Sequence, residues 1–234
     1  MILHVLRSVW RDEVLSYRYG KEVVLLVLVA GVSFGGYQGY AWHRSNQEKN
    51  AQYAMAEAIE ELDKANYYLL DPKSQNIPLA EQYLKDAQLA FDVMNGTYSS
   101  SKLYPYACAF QADIALRQGD VSSALQLLDT ALSKMSVKDK LYGMLQIKKA
   151  LVLIDTNNAE TGIASLEKYA FDKKNPHADT AAFYLGYYYF VNNNKNDAIR
   201  VWSELVQSMK AFDKKSEKSP WLLLVEDKLE QLGA

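Results

Sequence analysis

Apolar positions along this chain fall into two regimes. From Val23 to Trp42 there are 20 consecutive residues without a charge, closed by Lys21 and Glu22 on one side and by His43 and Arg44 on the other. At about 1.5 Å per residue such a run spans roughly 30 Å, the hydrocarbon thickness of a bilayer, and predicts a transmembrane helix over 22–42. Tyr37, Tyr40 and Trp42 stand at its second boundary, where amphipathic rings favour the headgroup layer. Beyond it, apolar residues recur every three to four positions nearly to the C-terminus, beginning with Met55, Ile59, Leu62, Ala65 and Leu69. Pro72, Pro78, Pro105, Pro176 and Pro220 all fall between such segments or at their starts, and no segment alternates as a strand would. The pattern predicts an all-α chain: an N-terminal transmembrane helix, an α-solenoid of about four helical hairpins, and a C-terminal capping helix.

Three of the hairpins resemble one another. The first runs Gln111-Ala112-Asp113 to Gly119-Asp120, then Ala124-Leu125, Leu128 and Ala131-Leu132. The second has Ala150-Leu151-Val152-Leu153, Asn157-Asn158, Gly162-Ile163 and Leu166; the third has Tyr184 to Phe190, Asn193-Asn194, Asp197-Ala198-Ile199 and Trp202. Aligned on Ala112, Ala150 and Gly186, the units are spaced by 38 and 36 residues. Within each unit a second small residue follows 12 positions later, at Ala124, Gly162 and Ala198, so that paired helices can approach closely. This resembles the tetratricopeptide repeat, with a small residue at a helix crossing, a Gly/Asn turn, and Ala plus Leu or Ile opening the second helix. Ala112, Gly119, Ala124, Ala131, Ala150, Gly162, Gly186, Ala198 and Trp202 are the expected packing residues. A degenerate fourth unit precedes them, with Ala80, Leu84 and Ala87 in its second helix. Ser219, Pro220, Leu222, Val225, Leu229 and Leu232 outline the capping helix.

The apolar run carries further features. Gly31, Gly35 and Gly39 repeat every four residues and would line one face, a candidate helix-docking ridge and a route to a homodimer; glycine is also simply common in membrane helices. Residues 2–19 carry Leu3, Leu6, Trp10, Val14 and Tyr17 against Arg7, Arg11 and Arg18, the pattern of a basic helix lying on a bilayer, or of an ordinary tail. The excess of basic residues before the run puts the N-terminus in the cytoplasm by the positive-inside rule. A cleaved signal peptide is the competing reading, but the run exceeds the usual apolar length for one. The resulting plan is 1–21 as a cytoplasmic amphipathic tail, 22–42 as a transmembrane helix, and 43–234 as a tetratricopeptide-like periplasmic domain.

Composition removes several functions. With 26 Lys+Arg against 28 Asp+Glu the formal charge is −2, which disfavours nucleic acid as a partner. The single cysteine, Cys108, sits among alanines and reads as core packing. His4, His43 and His177 are scattered, and there is no metal-ligand spacing, phosphate loop or nucleophile motif. No enzyme activity, metal or cofactor is expected. Of 17 tyrosines, Tyr184, Tyr187, Tyr188 and Tyr189 crowd one segment. Tyr184 and Tyr188 are the candidates for a peptide groove, since tyrosine joins apolar area to a polar tip; packing between helices is the alternative.

The glycine-bearing run leading into Tyr40-Ala41-Trp42, the hairpin Asn194-Lys195-Asn196-Asp197-Ala198-Ile199-Arg200-Val201-Trp202 and the closing helix from Pro220 to Leu232 together resemble the ancillary SecYEG translocon subunit family of Gram-negative bacteria (YfgM type). That resemblance implies a single-pass inner-membrane protein with its repeats in the periplasm. It further implies contact with the SecYEG channel and a periplasmic chaperone, in the handling of exported proteins. A structural assembly factor for another envelope complex, self-associating through the glycine ridge, is the alternative expectation.

Overall fold

The computed structural model describes residues 20–70, 75–156, 158–172, 175–212 and 219–233, with side chains from residue 29 onward except at 210–212. Nine helices are present among them: α1 Gly20–Leu70, α2 Ile77–Thr97, α3 Tyr104–Arg117, α4 Val121–Lys134, α5 Tyr142–Ile154, α6 Ala159–Ala170, α7 Ala178–Val191, α8 Lys195–Phe212 and α9 Leu222–Leu232. The chain divides into two compact units, Met1–Tyr53 and Ala54–Ala234.

In the first unit the described chain is helical, and its residues from Val29 to Tyr40 are exposed. The expected membrane span is corrected here. Among the described residues no helix is long and apolar enough to cross a membrane. The leading part of the run, residues 23–28, has side chains outside the described ones. The remainder contains Gly31, Ser33, Gly35, Gly36, Gln38 and Gly39. Absence of charge is not hydrophobicity: glycine adds almost no apolar area, and an amide opposes transfer into hydrocarbon. The assignments built on the span fall with it: the single-pass layout, the inner-membrane location with a periplasmic domain, bilayer contact, the SecYEG and chaperone partners, and a homodimer through the glycine ridge. The amphipathic tail lies in residues 1–19, outside the described residues.

The second unit is an all-α solenoid of helical hairpins. Met55, Ala58, Leu62 and Ala65 are buried on the last part of α1, and Ala80, Leu84, Ala87, Phe91 and Met94 on α2. These spacings of three and four residues place each set on one helix face. Asn76 caps α2, its Oδ1 accepting the Leu79 N–H at 3.1 Å, and Pro78 occupies the first turn, where its missing N–H costs nothing. Tyr68 stacks on Tyr83 at 5.6 Å and Phe91 on Phe110 at 5.6 Å, tying α1, α2 and α3 in sequence.

The hairpins α3–α4, α5–α6 and α7–α8 share one crossing. Ala112, Ala124, Ala150 and Ala198 have essentially no exposed surface. At Gly162 an added Cβ would stand 2.5 Å from the Ala150 carbonyl oxygen, so the backbones nearly touch. At Gly186 it would overlap the Trp202 indole, reaching Cε2 at 2.6 Å. Trp202 is fully buried there, with its Nε1 donating to the Phe183 carbonyl at 3.2 Å.

The hairpin turns are built alike as well. Gly119 and Asn193 have φ of 79° and 59°, in the left-handed region that glycine and asparagine tolerate best. The next N–H in each case reaches back five residues, Asp120 to Ala115 O and Asn194 to Tyr189 O, both at 2.9 Å. These bonds satisfy carbonyls that the helix end leaves open. Asp120 then caps α4 by accepting the Ser123 N–H at 3.0 Å. The equivalent residue of the middle hairpin, Asn157, lies outside the described residues.

Helix α5 joins two cores. Leu145 and Val152, seven apart, pack with Cys108, Ala112, Leu128 and Met135, whereas Ile147 and Ala150 pack with Leu166, Leu185 and Trp202. Its Lys148 and Lys149 reach back to Asp113 of α3 and Asp129 of α4 as ion pairs. At the C-terminal end, α9 begins two residues later than the sequence suggests. Ser219 donates to Asp179 at 2.6 Å, and Trp221 stacks on Phe183 at 4.1 Å, so both serve contacts with α7 before the helix begins. Val225 and Leu229 are buried in the same core as Trp202.

The crossing geometry predicts opposite outcomes for one substitution at two helical glycines. Gly186→Ala is expected to destabilise the chain by about 2 kcal/mol, because the indole must move. Gly96→Ala, where nothing lies within 4 Å, is expected to stabilise it by about 0.5–1 kcal/mol through helix propensity. Urea unfolding followed by circular dichroism reads both; equal effects would show that Trp202 does not restrict position 186.

Candidate functional site: a polar cleft between α2, α3 and α4

Three helices bring polar side chains into one concavity. On α2, Gln88, Asp92 and Asn95 follow each other at i, i+4 and i+7, one position beyond the buried Ala87, Phe91 and Met94. Gln111 of α3 and Gln118, the residue that follows its last turn, are seven apart and face them. The turn before α4 and α4 itself add Asp120, Ser123, Gln126 and Thr130. The cleft holds about 400 Å³. Its lining includes two carboxylates, Asp92 and Asp120, and no lysine or arginine. The Ser123 hydroxyl and backbone N–H hold the Asp120 carboxyl below its usual range.

Gln111 is the buried polar residue of this region, 7% exposed in the middle of an otherwise apolar face. Its Nε2 donates to Asp92 Oδ1 at 2.6 Å, and its Oε1 accepts from Asn95 Nδ2. At the outer edge, Gln118 Nε2 donates to Gln88 Oε1 at 2.9 Å. Asn95 Oδ1 is buried without a hydrogen-bond partner among the described residues. A second and more open concavity of about 710 Å³ is walled by Ile59, Lys64, Tyr67, Tyr68 and Tyr83. There Lys64 is paired with Glu60 and Glu61 at 3.0 and 2.7 Å.

The residues singled out from sequence are distributed as follows. Gly31, Gly35 and Gly39 lie in the exposed helical segment of the first unit, with nothing near a Cβ position. Ala112, Ala124, Ala131, Ala150, Gly162, Gly186, Ala198 and Trp202 are buried in the hairpins. Gly119 forms the α3–α4 turn. Tyr184 is half-buried and meets Trp221 edge-on at 5.6 Å, at the cap; Tyr188 is half-buried against Tyr189 at 5.7 Å. Neither lines the polar cleft. Tyr189 donates to Glu167 Oε1 at 2.9 Å; burial, and then that bond, push its phenol up to about 12. Cys108 is 1% exposed, and burial raises its thiol.

Sequence reasoning did not single out Gln88, Asp92 or Asn95, nor assign Gln111 and Gln118 a role. The available signal was a polar stripe beside the buried stripe of α2, and a glutamine directly before the crossing residue Ala112.

Residues 17–233 match the tetratricopeptide repeat-like domain family. The chain belongs to that family. No curated protein matches it by sequence. Among the described residues no group of three or more His, Cys, Asp or Glu side chains is placed to hold a metal ion.

Two measurements check this description of the tetratricopeptide-like unit. Gln111→Met removes the shared partner of Asp92 and Asn95 and is expected to cost about 1–2 kcal/mol, read as a lowered urea midpoint. An unchanged midpoint would show that the relay contributes nothing to stability. Neutral Tyr189, raised above the ordinary phenol value, contributes stability that is complete below about pH 10 and lost as pH rises through about 12. Tyr189→Phe should therefore flatten the fall of the urea midpoint across that window.

Proposed function

We propose that this chain is a protein-interaction scaffold that holds a segment of a polypeptide partner in the cleft between α2, α3 and α4. The observation that carries the reading is the cleft itself. It is a concavity of about 400 Å³ where amide, hydroxyl and carboxylate groups stand beside the apolar surface of Tyr104, Cys108, Ala115 and Leu127, on a repeat array of a family built for stacking. Adjacent hairpins fix the walls, so the groups are held in place before a partner arrives. Preorganisation of that kind reduces the side-chain ordering that binding otherwise costs. Amides suit a polypeptide because each offers both donors and an acceptor, matching the alternating N–H and C=O groups of a main chain.

The test is position-dependent photocrosslinking in the native host. Gln118→benzoylphenylalanine places the reactive group at the cleft edge, and Leu223→benzoylphenylalanine places it on the exposed face of α9. Covalent protein adducts are expected at position 118 and not at 223, resolved by mass spectrometry. Adducts at neither position, or the same adducts at both, would remove the reading.

A further inference from the structure

Unlike the three later hairpins, α1 and α2 do not close on each other along their length. They are joined near their turn by the Tyr68–Tyr83 stack and by the Asn76 N–H, which donates to the Tyr68 carbonyl at 3.1 Å. Beside that stack lies the concavity of about 710 Å³. Its rings make two walls. Tyr83 is within 5° of parallel to Tyr68, whereas Tyr67 stands at 78° to Tyr68, so the walls meet at nearly a right angle.

The chain itself places a cation against one wall. Lys64 Nζ lies 5.8 Å from the centre of the Tyr83 ring, and Glu60 and Glu61 hold it there at 3.0 and 2.7 Å. An aromatic face attracts a cation through its quadrupole, so the corner demonstrably accommodates positive charge. Asp63 belongs to the same lining, is exposed, and pairs with no cation among the described residues. Tyr67 follows it by four residues, one helical turn on, and is 54% exposed. Residues so spaced share a helix face, so the carboxylate and the ring are reached together from solvent. Ile59 adds apolar surface on the same side.

We infer that this corner is a further contact surface, one that takes an arginine side chain of a polypeptide partner. The guanidinium lies on Tyr67 and its N–H fork meets Asp63, while the stem covers Ile59. Arginine suits the corner better than lysine: its planar, weakly hydrated cation stacks on a ring and can bond a carboxylate through two N–H groups at once. The surface shares no lining residue with the cleft between α2, α3 and α4, so it stands apart from the scaffold reading of that cleft.

The experiment uses the full chain, immobilised, and three pools of acetylated and amidated decapeptides. The central residue is arginine, lysine or citrulline, and the other positions vary among uncharged residues. The arginine pool should be retained at least fivefold over the citrulline pool, whose side chain has nearly the same shape without the charge, with the lysine pool between them. This arm needs no protein variant. Asp63→Asn and Tyr67→Leu should each lower retention of the arginine pool about threefold, in chains whose circular dichroism matches the parent. Glu57→Gln, at an exposed carboxylate on the same helix but outside the lining, should leave it unchanged. No retained peptide, equal retention of the arginine and citrulline pools, or lysine retained as well as arginine would each overturn the assignment. So would Glu57→Gln acting as strongly as Asp63→Asn, since the attraction would then belong to the helix at large.

Discussion

Everything in the repeat unit depends on how closely two antiparallel helices can approach at one crossing. Where Gly162 meets the Ala150 carbonyl there is no room for a methyl group. The other hairpins carry alanine, Ala124 and Ala198, at the position of Gly162, both without exposed surface. In each, the residue four positions after the second small residue fills the space between the helices: Leu128, Leu166 and Trp202, all with essentially no exposed surface. The filler and the first small residue compensate in size. Leucine stands opposite alanine in the first two hairpins, whereas tryptophan stands opposite glycine in the third. Close-packed interiors permit that exchange because total volume, more than identity, decides whether a crossing closes.

Stacking follows from the crossing because it leaves each hairpin with an unburied face. Helix α5 shows how the faces are shared: it gives Leu145 and Val152 to one core and Ile147 and Ala150 to the next. A helix with apolar residues on two sides has little outer surface left. Its Lys148 and Lys149 find carboxylates on the preceding hairpin rather than water alone. The last hairpin lacks a successor, so α9 covers it with Val225 and Leu229, while Trp221 lies flat on Phe183. An array of this kind requires such a cap, since a terminal apolar face would otherwise meet water.

The crossing positions were legible because their signal is local. Small residues 12 apart, with a turn residue between them, carry their meaning within one hairpin, and Gly119 and Asn193 declare the turns directly. The apolar run near the N-terminus misled for a different reason: counting uncharged residues overlooked that Gly31, Gly35, Gly36, Gln38 and Gly39 bring little or no apolar surface. The start of α9 was misplaced because Ser219 looks like a helix cap, yet in the fold its hydroxyl answers Asp179, 40 residues away. The cleft was hidden by the same kind of separation. Gln111 reads as an exposed glutamine until α2 places Asp92 and Asn95 against it, 19 and 16 residues back along the chain.

A buried, unpaired acceptor such as Asn95 Oδ1 typically costs about 1–3 kcal/mol. The surrounding structure offsets that cost without relieving it. Phe91 stacks on Phe110, and Met94 and Phe91 are fully buried, so α2 is held against α3 by contacts that do not involve the relay. The relay therefore need not relax to keep the helices together, and its polarity keeps Asn95 from turning to find another partner. The same rigidity that makes the crossing possible thus makes an unsatisfied group tolerable in the folded chain.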